Sequence, residues 1–444
     1  MGFPPYPRAA AVLAVLAIGC ANEATSLDAE GLAHEERLEL EDRAGFESST
    51  RLDLVDELTM ASDEETLVVS LARHRTSGET PGFIEIGALA VFARDADGWE
   101  PADRLTVASP PSEELGAYVA VDDGTILASL GGSTGIAGPA TRIAVFEQRS
   151  RTQWELVDVL EDVGCIAGLA MEGSTAVVAD RCPADAGGGD PAAGRLRILR
   201  TDGSSWRQHQ DISISRTSAI NKIGSFNVTE LVVIERQTIA LGVPFLDVEG
   251  PSGETVSRAG VVVVFRGVDG EFVETQVLES PTPTDHGFFG ETVAISGDTM
   301  AVSARGDDDY MGRVYVFERE ADGWTEAARL QPSNREWVPH FGWDLALRGS
   351  WIVVGAPLER SRLMGINGSE LEPYDGQSTP FGAAYAFERR NGQWEERYYI
   401  KDRLPRENHS SGFGSATALV GDSLLVGASG KATPGYVHVW TITR

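Results

Sequence analysis

Three consecutive aspartates, Asp307, Asp308 and Asp309, are the residues of this sequence best suited to hold a metal ion. Carboxylate oxygens are hard ligands, and Ca²⁺ takes about six to eight of them. Consecutive residues of an extended chain point in alternating directions, however, and no Asx-x-Asx-Gly spacing follows the aspartates. The sequence therefore leaves Ca²⁺ as a candidate cofactor beside a simpler interpretation, a solvated acidic turn.

Three histidines, His286, His340 and His409, each come shortly before a Phe-Gly pair. A metal site would require their imidazoles to converge and to be held by further hydrogen bonds. Because their distances from the Phe differ, convergence is not expected, and hydrogen bonding within loops is the alternative.

The elements that carry these residues follow from an internal repeat. The stretch from Phe341-Gly342 to Gly355 contains two short apolar runs separated by the turn Gly349-Ser350. Leu345 and Leu347 alternate with polar residues in the first run, which is the period of a strand. The second run is continuous and β-branched, which is typical of a strand buried on both faces.

This hairpin recurs along the chain. The same spacing joins Phe289 to Ser303 and Phe413 to Gly427, and four weaker copies keep the register. The residue fourteen positions after the Phe is small in all seven copies, so a larger side chain there is expected to clash with a neighbouring element. A third apolar run and an aromatic-led fourth run follow each copy, except that the last copy stops before its fourth run. A period of this length with four strands per unit indicates a β-propeller.

With these motifs the chain resembles the FG-GAP repeat proteins, whose β-propellers also form the head of integrin α subunits. The resemblance covers residues 36–444 and implies an all-β fold, a seven-bladed propeller of four-stranded antiparallel blades that serves as a binding or adhesion scaffold. The Ca²⁺ loops of that family lie between the first two strands of a blade. Here those turns are as short as Gly297-Asp298, so the family's metal loop is missing.

The first copy is preceded by an unpaired apolar alternation at 36–46, which includes Leu38 and Leu40. Since the seventh copy lacks its fourth strand, we expect this N-terminal strand to pair into the last blade and close the ring. Closure would remove a sheet edge that invites aggregation.

The N-terminus has the composition of an export signal. Arg8 precedes an apolar run of about ten residues that is too short to span a bilayer. The ending Ala17-Ile18-Gly19-Cys20 resembles the signal of bacterial lipoproteins, which implies that Cys20 carries the lipid. We therefore expect a signal peptide at 1–19, a flexible tether at 20–35, and an outer-membrane or cell-surface lipoprotein.

The other two cysteines, Cys165 and Cys182, lie at equal distances from the turn Gly173-Ser174. In an antiparallel hairpin this spacing places them opposite each other, and an exported protein favours a disulfide there. The alternative is a pair of buried free thiols.

The formal charge of −30 argues against nucleic acid as a partner, because such a surface repels phosphate backbones.

In an up-and-down propeller, the turns between strands one and two and between strands three and four share one face. Those turns are short, whereas several connections on the other face are long. Binding residues concentrate on loops of a rigid scaffold, so the loop face is the predicted binding surface.

The longest connection, 358–381, mixes charged side chains with a tyrosine and suits contact with a protein or glycan. Its candidate ligand-binding residues are Arg360, Arg362, Asn367, Glu370, Glu372, Tyr374 and Asp375. A solvated insertion is the alternative.

From these features we predict a monomeric, non-catalytic binding or adhesion scaffold for a protein or glycan at the cell envelope. The first alternative is an enzyme, a hydrolase or lyase, with carboxylates and histidines converging at the central channel. The second is a structural envelope protein without a specific ligand.

Overall fold

The structure is a computed structural model of the 444-residue chain. It describes residues 32–39, 52–54, 59–70, 74–76, 87–95, 98–107, 114–131, 140–180, 194–214, 231–335, 338–361, 363–367, 370–371, 382–402, 412–428 and 436–442. Within these residues, seven four-stranded antiparallel sheets form the blades of a propeller, as the repeat predicts.

The first three blades follow each other along the chain. Blade 1 comprises Met60–Ser62, Thr66–Ser70, Leu89–Asp95 and Gly98–Leu105. Blade 2 comprises Glu114–Asp122, Thr125–Gly131, Ala140–Ser150 and Gln153–Leu160. Blade 3 comprises Ile166–Glu172, Thr175–Asp180, Gly194–Thr201 and Trp206–Ile214.

The next three blades are built in the same order. Blade 4 comprises Val232–Glu235, Thr238–Val243, Val261–Val268 and Glu271–Glu279. Blade 5 comprises Phe289–Ser296, Thr299–Ala304, Arg313–Glu320 and Gly323–Leu330. Blade 6 comprises Leu345–Arg348, Trp351–Ala356, Ala383–Arg390 and Gln393–Ile400.

Blade 7 combines two distant parts of the chain. Its first three strands are Phe413–Val420, Ser423–Ala428 and Tyr436–Ile442, and its fourth is the N-terminal strand Leu32–Glu39. This strand pairs antiparallel with Tyr436–Ile442, with Leu32 opposite Ile442 and Glu39 opposite Tyr436.

The N-terminal strand begins earlier in the chain than the sequence predicted. It starts at Leu32, so the predicted boundary at residue 36 falls inside the strand, and the segment 40–46 lies outside the described residues. A register shift between His34 and Glu36 explains the error, because a bulge interrupts the strict alternation by which the strand was recognised.

Four smaller elements lie in the connections. The two-stranded pairs are Leu52–Leu54 with His74–Thr76, Val248–Glu249 with Thr255–Val256, and Leu363–Met364 with Glu370–Leu371. The turn Asp307–Tyr310 lies between the second and third strands of blade 5.

The core is divided among the blade interfaces. Seven clusters of buried apolar residues each join one pair of neighbouring blades, including blades 7 and 1, where Met60 and Leu67 pack with Val420 and Val437. The first strands of adjacent blades contact each other around the complete ring. A chain of this length thus buries its apolar side chains in many small interfaces instead of one large core.

The Phe-Gly pairs and the small residues are explained by contacts between blades. A Cβ added to Gly242, at the small position of blade 4, would lie 1.8 Å from the carbonyl oxygen of Gly290 in blade 5. Gly290 itself has a φ of +86°, a left-handed conformation that favours glycine. The preceding Phe289 is fully buried and contacts Tyr315 and Phe317 edge to face. The expected clash behind the small position is therefore confirmed for this interface.

The strand order places two kinds of connection on opposite faces. We call the face with the turns between strands one and two, such as Gly297-Asp298, the hairpin face. The opposite face, with the connections between strands two and three and between blades, is the loop face. The turn Asp307–Tyr310 and the short strands Leu363–Met364 and Glu370–Leu371 belong to the loop face.

Candidate functional site

The stem of the longest loop is fixed by a buried ion pair. Lys401 Nζ lies 2.5 Å from Glu359 Oε2, and both side chains are fully buried. Lys401 Nζ also donates to the carbonyl oxygen of Ser361 at 2.5 Å. The Ser361 backbone N–H in turn donates to Glu359 Oε1 at 2.7 Å. These bonds join the start of the loop to the end of blade 6 and make its base rigid.

Three of the seven predicted binding residues of this loop are described: Arg360, Asn367 and Glu370. Arg360 is exposed, directly after the buried Glu359. Asn367 Oδ1 accepts the backbone N–H of Tyr399 at 2.9 Å, so this side chain anchors the loop to blade 6. Glu370 begins the short strand Glu370–Leu371. The other four, Arg362, Glu372, Tyr374 and Asp375, lie outside the described residues.

The three candidate metal-binding aspartates have separate roles. Asp307 is 2% exposed, and its carboxylate accepts bonds from Thr284 at 2.9 Å, Tyr315 at 2.6 Å and Arg313 at 3.1 Å. Asp308 forms an ion pair with Arg335, and Asp309 is exposed. Because protein donors occupy both Asp307 oxygens, this carboxylate holds the turn in place.

A second buried ion pair lies beside that turn. Arg305 donates to both oxygens of Glu291, at 2.7 and 2.6 Å, and both side chains are almost fully buried. The Arg305 guanidinium also lies 4.6 Å from the ring centre of Trp343 in blade 6, in a cation–π arrangement. Burial raises the pKa of Glu291, and Arg305 opposes that rise.

His340 is enclosed between blades 5 and 6. Its ring contacts Tyr310 at a centroid distance of 5.9 Å and Trp343 at 6.5 Å, and its backbone N–H donates to the Tyr310 carbonyl at 2.8 Å. Burial, with added repulsion from Arg305 and Arg360, lowers the pKa of His340 to about 4. This imidazole is therefore neutral at physiological pH.

The three histidines singled out in the sequence do not form a metal site in the described part of the chain. His286 packs edge to face on Phe288, which in turn contacts Phe245, while His340 lies between Tyr310 and Trp343. His409 is outside the described residues. Among the residues that the structure describes, no group of three or more His, Cys, Asp or Glu side chains could hold a metal ion.

The first strands of the seven blades surround a central cavity of about 360 Å³. One position of each first strand is small and apolar: Ala61, Ala120, Ala170, Val233, Ala294, Ala346 and Ala418. At the hairpin-face end the wall includes Glu235, Ser296 and Arg348. The channel is therefore apolar along its middle and polar at that end.

Polar groups at the hairpin-face end link one blade to the next. The backbone N–H of Gly173 donates to Asp122 at 2.5 Å, that of Arg236 to Glu172 at 2.6 Å, and that of Gly297 to Glu235 at 2.9 Å. Each acceptor is the last residue of a first strand, and each donor lies in the turn of the following blade. Sequence analysis missed these links, although the three acceptors occupy the same position in their repeats.

One catalytic pattern escaped the sequence analysis. Residues 131–135 spell Gly-x-Ser-x-Gly, which in hydrolases forms a strained turn between a strand and a helix. Here Gly131 ends one strand and Ala140 begins the next, so the pattern joins two strands of blade 2. Ser133 itself lies outside the described residues.

The predicted disulfide is described at one of its ends. Cys165 is buried and disulfide-bonded. Its predicted partner Cys182 lies outside the described residues, as does the predicted lipidation site Cys20. Because Cys182 is not described, the partner of Cys165 stays a prediction. A register shift between Ile166 and Gly168 also interrupts the symmetric strand pairing from which the disulfide was predicted.

Comparison with known proteins supports the repeat assignment. The family model of the FG-GAP repeat matches residues 272–317 and 324–387, in blades 4 to 6. The crystal structure of the N-terminal domain of Nup159 aligns over 93% of this chain and 96% of that chain, with 8% identity and a TM-score of 0.43. No curated protein matches the chain. The FG-GAP match therefore covers part of the seven-bladed ring, in blades 4 to 6. No helix of the described residues is long and apolar enough to cross a membrane.

Proposed function

We propose that this FG-GAP propeller is an exported, lipid-anchored scaffold that binds a protein or glycan at the cell envelope through its loop face, without catalysing a reaction. The coarse part of the proposal rests on the propeller and its repeats, which are compatible with a binding role. The site and the anchor rest on the arguments that follow.

The observation that supports the proposal most strongly is the direction of the N-terminal strand. Leu32 lies opposite Ile442, whose backbone N–H donates to the carbonyl of Asp422 at 2.8 Å in a hairpin-face turn. Glu39, at the other end of the strand, lies opposite Tyr436. The strand therefore starts at the hairpin face and runs toward the loop face.

Because the strand starts at the hairpin face, a lipid at Cys20 would be attached on that side of the propeller. Eleven residues lie between Cys20 and Leu32, and the twelve steps from one to the other reach at most about 43 Å. An anchor attached at the hairpin face would leave the loop face free to point away from the membrane. Binding loops and anchor would then lie on opposite faces, as a surface scaffold requires.

The second support is that buried carboxylates on the loop face are paired with basic side chains. The carboxylates of Glu291, Asp307 and Glu359 are buried and each is paired with a basic side chain of the same blade. Such pairs fix loop stems, and loops held by a rigid scaffold are common binding elements. Paired carboxylates of this kind are expected in a binding scaffold, whereas a catalytic site would need unpaired ones.

The binding proposal is tested by capture of partners from envelope extract. Removal of the whole segment 358–381 would delete Glu359, the ion-pair partner of Lys401. The informative variant therefore replaces only 368–381 by a short Gly-Ser linker. This variant keeps the Glu359–Lys401 pair and the Asn367 anchor. We expect it to capture less partner than the unaltered protein, while Asp298→Ala on the hairpin face captures the same amount.

Equal capture by all three proteins, each shown to be folded, would remove this loop from the proposal. The anchor is tested separately by membrane fractionation. We expect Cys20→Ser to move the protein from the membrane pellet to the soluble fraction, and an unchanged distribution would contradict lipid anchoring.

A further inference from the structure

A row of aromatic rings lies on the loop face where blade 5 meets blade 6. Tyr310, His340 and Trp343 follow one another edge to face, with centroid distances of 5.9 and 6.5 Å. Tyr310 is 45% exposed, and the other two rings are half-buried. We call these three rings, together with Asp309 and Arg360, the blade 5–6 cluster.

The backbone that presents Tyr310 is strained. Asp308, Asp309 and Tyr310 have φ values of +59°, +56° and +66°, a left-handed conformation that is unfavourable for residues with a Cβ. The buried Asp307 and the bond from the His340 N–H to the Tyr310 carbonyl hold this turn. Strain held in this way is concentrated at functional sites in proteins.

The polar groups of the cluster have unused hydrogen-bonding capacity. Asp309 and Arg360 are exposed, and the described chain gives neither of them a charged partner. Nδ1 of His340 is buried and has no hydrogen-bond partner among the same residues. Arg305 differs, because it is almost fully buried and donates to both oxygens of Glu291, so we assign it to the support of Trp343.

We propose that the blade 5–6 cluster is a saccharide-binding subsite that takes a pyranose ring. The apolar C–H face of the sugar would stack on Tyr310, beside the partly exposed ring of Trp343. Sugar hydroxyl groups would donate to Asp309 and accept from Arg360. This inference rests on the proposed binding function of the loop face and names the ligand class of that face.

The same observations favour a saccharide over a peptide. Two common modes of peptide binding add a strand to an unpaired sheet edge or place a helix in a groove. Blade 5 ends in the outer strand Gly323–Leu330 at the rim, whereas the cluster is made of connections and a strand start on the loop face. One exposed ring, with half-buried rings beside it and with one acid and one base, matches the apolar face and the hydroxyl groups of a sugar.

The test measures binding of cellohexaose, maltohexaose and chitohexaose to the full-length protein by titration calorimetry and tryptophan fluorescence. We expect at least one of them to bind. Tyr310→Ala and Arg360→Ala should each weaken that binding by about fivefold or more, because each removes an exposed contact without opening the core. Val273→Ala, an equally exposed apolar residue on the rim, is the matched control and should bind as the unaltered protein does.

The inference is overturned if none of the three saccharides binds, or if Tyr310→Ala and Arg360→Ala bind as tightly as the control. It is also overturned if the two variants lose capture of an envelope peptide while no saccharide competes. Failure here is distinguishable from failure of the proposed function, because the envelope capture experiment uses the natural partner and does not depend on its chemical class.

Discussion

At the scale of single residues, the loop face is organised by buried charges that are paired. Glu359 with Lys401 and Glu291 with Arg305 each hold a connection against the blade from which it emerges. A buried pair of this kind adds little net stability, but removal of one partner leaves an uncompensated charge. The pairs therefore act mainly by fixing the position of the loops.

We predict that Lys401→Met destabilises the protein by about 3–5 kcal/mol, because it leaves the fully buried Glu359 carboxylate without its counter-charge. Urea unfolding at pH 7 measures this loss. The control is the double variant Glu359→Leu/Lys401→Met, in which no charge is left buried. It should recover most of the stability, and equal losses in the single and double variants would argue against a buried ion pair.

A second residue-scale prediction concerns pH. Asp344 is buried and accepts bonds from the Thr417 N–H and hydroxyl. Burial raises the pKa of Asp344 from 3.8 to about 6. Below about pH 4 the carboxyl group of Asp344 is protonated in both the folded and the unfolded state. Between about pH 4 and pH 6 the unfolded state loses this proton while the folded state keeps it, so the residue's contribution to stability falls across that range, by at most about 3 kcal/mol.

Asp344→Asn removes this titration. We therefore expect the stability of the variant relative to the unaltered protein to increase between pH 4 and pH 7, as measured by urea unfolding at each pH. Asp63, Glu291 and Glu396 also have raised pKa values, so only the difference between the two proteins is informative. A difference that stays constant across this range would show that Asp344 is not the titrating group.

At the scale of elements, the repeat is enforced by close contact between neighbouring blades. We predict that Gly242→Ala destabilises the protein by about 2 kcal/mol or more, since the new Cβ would collide with the Gly290 carbonyl. Gly173→Asn is the matched control. Its φ of +53° suits asparagine, and no atom lies within 4 Å of the added Cβ. Thermal unfolding of both variants measures the contrast, and equal melting temperatures would contradict the contact.

The sequence predicted the elements where spacing alone defines them. The distance from Phe289 to Ser303 identified a hairpin, and the small residue at its end identified a close contact, because both depend on side-chain size at fixed positions. The start of the N-terminal strand was missed because the bulge between His34 and Glu36 interrupts the alternation that marks a strand. The aromatic cluster was missed because its members come from two blades, and because the sequence does not show the left-handed turn that carries Tyr310.

The Asp307–Asp309 run shows the same limit for a candidate site. The sequence shows three carboxylates in a row, but it does not show that Tyr315 and Arg313 approach the first of them. Which partners a buried charge finds depends on how strands from separate hairpins align. That information appears only when the blade is assembled.

At the scale of the whole molecule, the two ends of the described chain meet in blade 7. We predict that a protein starting at residue 40 melts at least about 5 °C lower and aggregates, because the Tyr436–Ile442 strand would lose its outer partner Leu32–Glu39. A protein starting at residue 30 keeps the strand and is the control. Thermal unfolding and size-exclusion chromatography compare the two, and identical behaviour would show that the N-terminal strand is not needed for the ring.

The most direct test of the central claim, that the loop face is the binding face, is protection of single cysteines from a thiol reagent in envelope extract. Ser333→Cys places an exposed thiol on the loop face in the connection between blades 5 and 6, and Asp298→Cys places one on the hairpin face. We predict that the extract slows labelling at position 333 and leaves labelling at position 298 unchanged. Protection at 298 alone, or at neither position, would contradict the account.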